Sequence, residues 1–223
     1  MERAPSPYAI LRNWDFLFYL IGRFVASFGQ QMLTVAIGWE IYERTHSSLM
    51  LGFVGLTIYV PMLLMTLPSG HVADTYERKK VIIVMQAVLA GASLGLAFIS
   101  WKQAPVAWIY ICLFLAGVAR TFLWSASASF LPQLVPRQEF PLAVNWSSST
   151  FQLSAVTGPA AGGALIALSH NAVGVYVFTA VASLVCLVMV WLVRAQIKPQ
   201  QTIWLVATGG EHDDRGLKGA FLA

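Results

Sequence analysis

The chain has 223 residues, of which 57% are hydrophobic and only 11% charged, and its mean hydropathy is +0.67. Soluble domains carry about 25% charged residues, so this composition excludes a solvated globular monomer, a disordered chain and a disulfide scaffold. The net charge of +4 comes from 14 Lys and Arg against 10 Asp and Glu. These basic residues are spread over short loops instead of forming a stripe, which argues against a nucleic-acid partner.

A helix crosses a bilayer with about 20 mostly apolar residues, and six runs of that size follow one another: 16–39, 49–70, 81–101, 106–131, 144–168 and 172–193. Arg23 in the first run and Arg120 in the fourth are their only charges. The first run exceeds a signal-peptide core and has no small-residue cleavage site behind it, so it is expected to be retained. The expected fold is an all-α membrane protein with a six-helix bundle over 16–193, an N-terminal segment 1–15 and a C-terminal tail 194–223. Arg3, Arg12, Arg78, Lys79, Lys80, Arg137, Arg194, Lys198, Arg215 and Lys218 fall on the side of the termini, and only Arg44 and Lys102 on the other. By the positive-inside rule both termini are expected in the cytoplasm.

Along the first run Arg23, Ser27, Gln30 and Thr34 recur at helical spacing. At 100° per residue they fall within an arc of roughly 60°, with Gln31 at its edge. Interhelical hydrogen bonding alone would account for isolated Ser or Thr, whereas a stripe with an Arg and two Gln favours a water-accessible cavity. Glu40, near the outer end of this run, reads as an interfacial carboxylate; it is the one acid in reach of a proton-coupling role, and the coupling acid is otherwise absent from this chain.

After the second run comes Gly70-His71-Val72-Ala73-Asp74-Thr75-Tyr76-Glu77-Arg78-Lys79-Lys80. Gly70 is expected to let a neighbouring helix approach, and Asp74 and Arg78 are spaced to pair across one helical turn. A solvated basic turn would also satisfy this composition. The pattern resembles motif A of the major facilitator superfamily, G-x-L-A-D-R-x-G-R-[KR], between the second and third helices of that fold. Gly70, Ala73, Asp74, Arg78 and Lys79 match, while Thr75 and Glu77 replace an Arg and a Gly. With Gly22-Arg23-Phe24, Gly38-Trp39-Glu40 and Leu67-Pro68-Ser69-Gly70, the text over about residues 10–195 is similar to the bacterial branch of enterobactin exporters and macrolide-efflux proteins. The resemblance implies one half of a facilitator fold, with Gly70, Asp74, Arg78 and Lys79 in a cytoplasmic latch between two halves.

The third run holds Gly91-Ala92-Ser93-Leu94-Gly95, a G-x-S-x-G pattern, but within an apolar helix and with no His in any later span to activate Ser93; a small-residue helix contact is the simpler reading, and no enzyme is expected. Cys112 and Cys186 lie in separate runs, and His46, His71, His170 and His212 each stand alone. No cofactor or metal is expected.

In the fifth run Gly158-Pro159-Ala160-Ala161-Gly162-Gly163 contains a G-x-x-x-G step for close backbone contact, and Pro159 favours a kink. On helix five this resembles motif C of facilitator antiporters, with Ser154 at the place of its first Gly. Asn145, Ser149 and Gln152 add polar positions on the same run. The route for substrate is expected along Arg23, Ser27, Gln30, Gln31, Thr34, Arg120 and Gln152.

Together these features imply a secondary active transporter exporting a small molecule of drug or siderophore type across the bacterial inner membrane, with proton antiport as the implied coupling. Major facilitators have two such bundles, and one is present here. A fragment or frameshifted product is the favoured explanation, against a half-size homodimer or one chain of a split transporter; a membrane scaffold without transport of its own is the alternative.

Overall fold

The computed structural model describes residues 9–193, so the expectations for 1–8 and for the tail 194–223 lie outside the described residues. A 3-10 turn, Ala9–Arg12, leads into six helices: α1 Trp14–Thr45, α2 Ser48–Thr75, α3 Arg78–Trp101, α4 Val106–Leu134, α5 Phe140–Ser169 and α6 Val173–Leu192. All six are long and apolar enough to cross a membrane; the shortest, at 20 residues, spans about 30 Å at 1.5 Å per residue. Most extend past the apolar runs because their polar end turns remain helical.

Local chemistry sets the ends. Asn13 Oδ1 accepts from the amides of Asp15 and Phe16 at 3.1 and 3.4 Å, capping α1. Ser47 caps α2 through the Met50 amide at 3.5 Å. His46 and His170 stop α1 and α5 in the left-handed region, at φ 49° and 52°, each amide donating four residues back.

The helices pack in the order α5–α1–α6–α3–α4–α2, with α2 and α5 at the two ends of the series. α1, α3 and α6 bury nearly half of their apolar stretch, α5 much less and α2 scarcely any. Two apolar cores fill the bundle. One lies at the end holding Asn13, Arg78 and Leu192 (the near end), around Phe16, Ile82 and Phe130. The other lies toward Glu40 and His170 (the far end), around Ile37, Leu96 and Tyr176.

Polar stitches tie the ends together. At the near end Asn13 Nδ2 donates to Leu134 O at 3.0 Å, joining α1 to α4. Lys79 Nζ donates to Trp191 O and Val193 O at 2.9 and 2.7 Å, joining α3 to the C-terminus of α6, where a cation also meets the negative end of the helix dipole. α2 is held on α4 by the Ser69–Ser125 hydroxyl pair at 2.9 Å and by Tyr110 Oη donating to Met50 O at 2.8 Å.

Candidate functional site

The α1 stripe keeps its expected face. Arg23, Ser27 and Gln30 are half-buried and Thr34 is exposed, yet Phe16 and Ile41, on the same arc beyond either end, are fully buried. A polar, partly open stretch therefore lies between two apolar closures in the middle of the helix. Arg23 Nη1 donates to Tyr19 Oη at 2.8 Å, and the guanidinium carbon stands 6.0 Å from the Tyr19 ring centre. The Tyr19 ring meets Phe130 of α4 edge-on at 5.5 Å, so the arginine leans toward the α1–α4 contact. Gln30 Nε2 is buried with no acceptor, while Thr34 Oγ1 donates back to Gln30 O at 3.0 Å.

Arg120 stands on α4 at a similar height. Asn13 and Leu134 meet at the near end, and Ser27 and Arg120 lie equally far from them along α1 and α4, about 21 Å up each helix. Around α4, Arg120 falls between Phe130, which contacts α1, and Gly117, which packs on Pro61 of α2. The Tyr59 hydroxyl on α2 is within electrostatic reach of its guanidinium. Arg120 has no hydrogen bond or ion pair to a described residue.

Two expected members of the route stand elsewhere. Gln31 belongs to the α1–α5 seam, where its Cβ would lie only 2.6 Å from a Cβ at position 158. Gln152 is exposed, as are Asn145 and Ser149; at 100° per residue it points about 160° away from Ser154 on the seam, so it does not join the α1 stretch.

That seam is where the glycines of α5 act. A Cβ on Gly162 would meet Met32 Cα and O, both at 3.0 Å, and one on Gly158 would also meet Phe28 O at 3.1 Å. One turn earlier, fully buried Ser154 donates to Thr150 O at 3.0 Å and reaches Phe24 O of α1 at 3.4 Å. Gly163 faces open space, and Pro159 is taken into the helix without interrupting it. On its other flank α1 meets α6 the same way: Gly29 lies against Thr179 and Ala182, and Thr179 Oγ1 donates to Gly29 O at 2.9 Å.

The motif-A segment departs from its expected local geometry. α2 ends at Thr75, Tyr76 is extended (φ −102°, ψ 160°), and α3 begins at Arg78. Asp74 and Arg78 thus stand on different helices, and the one-turn pairing argument does not apply; the Asp74 side chain lies outside the described part of the structure. Gly70 brings none of the described helices close, since a Cβ there would meet no described atom within 4 Å. Arg78 Nε is buried without a partner, Lys79 is engaged with α6, and Lys80 pairs with Glu77 at 3.0 Å on the surface.

Glu40 is not an interfacial carboxylate. It is 3% exposed and accepts from the hydroxyl of fully buried Tyr176 on α6 at 2.5 Å. Arg44 Nη2 stands 2.5 Å from Glu40 Oε1, a charge contact, while the Arg44 N–H groups aim at Ala104 O and Ser100 O at 2.9 and 3.3 Å. One cation thereby meets the acid, a carbonyl of the last turn of α3 and a carbonyl of the loop that follows it. Arg44 and Tyr176 were missed in the sequence; the one-turn spacing of Glu40 and Arg44 was the available signal, but Tyr176 lies too far along the chain to be inferred. Ser93 is buried inside α3, and no group of three or more potential metal ligands occurs among the described residues.

The bundle is thus of the polytopic membrane class, with a half-open polar stretch in mid-span and close-packed glycine seams. The family model of the Major Facilitator Superfamily matches residues 19–205. The chain belongs to the major facilitator superfamily, and its six helices make one half of that fold. It is similar to macrolide efflux protein A of Streptococcus pyogenes (27% identity over 151 residues, 66% of this chain and 37% of that protein). It is also similar to the staphyloferrin A transporter of Staphylococcus aureus (25% over 155 residues, 69% and 39%) and to the enterobactin exporter EntS of Salmonella choleraesuis (27% over 184 residues, 81% and 44%). The chain spans less than half the length of these curated relatives. No solved structure matches it.

Proposed function

We propose that the chain is one six-helix half of a secondary active transporter that exports a small molecule across the bacterial inner membrane. The carrying observation is the half-open polar stretch of α1, closed by Phe16 and Ile41, with Arg120 on α4 at about the level of Ser27 by helix rise. Helices serving only as packing would gain nothing from an arginine in the middle of α1 and another in the middle of α4, because a charge at a helix centre costs about 2.5–3.5 kcal/mol on insertion scales. Substrate moves along Arg23, Ser27, Gln30, Thr34 and Arg120, with Gln31 in the seam beside it and Gln152 on the outer face of α5. The lysines and arginines of the near end support placing it, and both termini, in the cytoplasm.

Asp74 with Arg78 forms the cytoplasmic latch to the second half, and the exposed flanks of α2 and α5 receive that half, whether a second six-helix segment or a second copy. Glu40, the only buried acid among the described residues, is the proton site if export is antiport. Efflux of a macrolide or a siderophore from energised cells producing this protein tests the reading. Export that falls on Asp74→Asn supports the latch, and export indifferent to that change overturns it. A second reading, a membrane protein needing another half before it transports, is favoured by the short span against the relatives; it is supported if efflux appears only when a second bundle is co-produced.

A further inference from the structure

We infer that the bare face of α2 beside Tyr59 receives a helix bundle of different sequence from this one, whose facing helix brings a carboxylate to Arg120 in mid-span. This rests on the two-half reading proposed above and goes further, by giving the partner's chemistry and excluding a second copy of this chain.

The α2–α4 contact places Arg120. Gly117, one turn before it, is pressed against α2: a Cβ there would stand 2.9 Å from Pro61 Cγ and 3.0 Å from Ile58 O. Tyr59, beside them, has its hydroxyl within electrostatic reach of the Arg120 guanidinium. Ile58 and Pro61 face α4, and the other side of α2 carries Leu49, Phe53, Leu56, Val60, Leu63 and Leu67, all exposed. These six alternate at spacings of four and three, the seam spacing of paired helices, and fall within an arc of about 80° at 100° per residue. Exposed Tyr59 lies on the flank between that stripe and the α4 contact, so Arg120 reaches the edge of the bare face.

Lipid would satisfy the stripe as well as protein would, because acyl chains are as apolar as leucine. It would not satisfy the arginine. Arg120 is half-buried and has no hydrogen bond or ion pair to a described residue, and a charge at this depth needs protein or water beside it. This chain cannot bring the counter-charge. None of its 10 Asp and Glu lies within the six apolar runs, and Glu40, just past the first run, is held by Arg44 and Tyr176. A second copy would add its own Arg23 and Arg120, cation against cation. A carboxylate on a helix of another sequence meets the guanidinium fork with two parallel bonds, and the Tyr59 hydroxyl is a further donor beside it.

The test uses the full chain in phosphatidylcholine nanodiscs at mildly alkaline pH. The probes are three spanning peptides of about 20 Leu and Ala residues, identical except for a Glu, a Gln or a Lys at the centre. Energy transfer from labelled peptide to labelled chain reads association. The Glu helix is expected to bind about tenfold or more tightly than the Gln helix, the usual size for a hydrogen bond to a charged group, and the Lys helix more weakly than both. Arg120→Gln is expected to erase the advantage of Glu, and Arg120→Lys to keep part of it. Equal binding of the Glu and Gln helices, or no binding of the Glu helix, overturns the proposal. That comparison is made on the unaltered chain and decides even where a variant fails to fold. Energy transfer between two labelled pools of the chain itself is expected to stay at background. A stable homodimer also overturns the proposal, yet leaves the two-half reading in place with a second copy as partner. Efflux by the chain alone removes the need for any partner, and both fall.

Discussion

Gly162→Ala puts the α1–α5 seam to a direct stability test. The added Cβ would sit 3.0 Å from both Cα and O of Met32, against an ordinary carbon contact of about 3.5–4.0 Å. Both obstructing atoms are backbone, so no side chain can swing aside, and α5 has to retreat from α1 by several tenths of an ångström along a line of contact that includes Ser154 and Gly158. Overpacking of this kind costs about 1–3 kcal/mol, partly offset by the helix preference of Ala over Gly, worth about 0.8–1.0 kcal/mol in water. A net loss of about 1 kcal/mol is expected. Gly158→Ala should lose at least as much, since its Cβ would stand 2.6 Å from Gln31 Cβ. Gly163→Ala is the internal control: it faces open space and should be neutral or slightly stabilising. Unfolding in mixed micelles titrated with dodecyl sulfate, followed by circular dichroism, orders the three variants. A Gly162→Ala chain that unfolds no earlier than Gly163→Ala would refute the seam.

Glu40→Gln leaves Tyr176 a partner but strips Arg44 of its counter-charge, and about 3 kcal/mol of stability should be lost; adding Arg44→Met should recover a large part, and a double-mutant cycle showing no coupling would contradict the cluster. Asn13→Ala removes the α1 cap and the tie to Leu134, so about 1 kcal/mol should be lost, with faster hydrogen exchange at the Asp15 and Phe16 amides; unchanged exchange there would count against the cap. Lys79→Met frees the Trp191 and Val193 carbonyls and should raise exchange in the last turn of α6 while leaving its middle unchanged; equal exchange in both would count against that tie.

The six helices could be read from apolar length, because burial in a bilayer demands a run of that size wherever the neighbours are. The Gly158–Gly162 contact was equally legible, since two glycines one turn apart on an apolar helix leave a groove that only a close neighbour fills. Gly70 shows the limit of the same argument: a glycine permits approach but does not compel it, and none of the described helices passes there. Asp74 and Arg78 fail for another reason. Spacing along the chain means one helical turn only while the helix continues, and Tyr76 ends it. Gln31 misled by lying at the margin of an arc, where the pull of the α5 seam decides between route and interface. Glu40 was misplaced because its burial depends on Tyr176, brought from another helix by the bundle itself.

The central claim is that the middle of α1 opens to water between its apolar closures. In a chain freed of Cys112 and Cys186, single cysteines at Ser27, Gln30 and Thr34 should react with a membrane-impermeant thiol reagent, while one at Ile21, on the opposite side of the helix, should stay unmodified under the same conditions. Three positions as inert as residue 21 would contradict the claim.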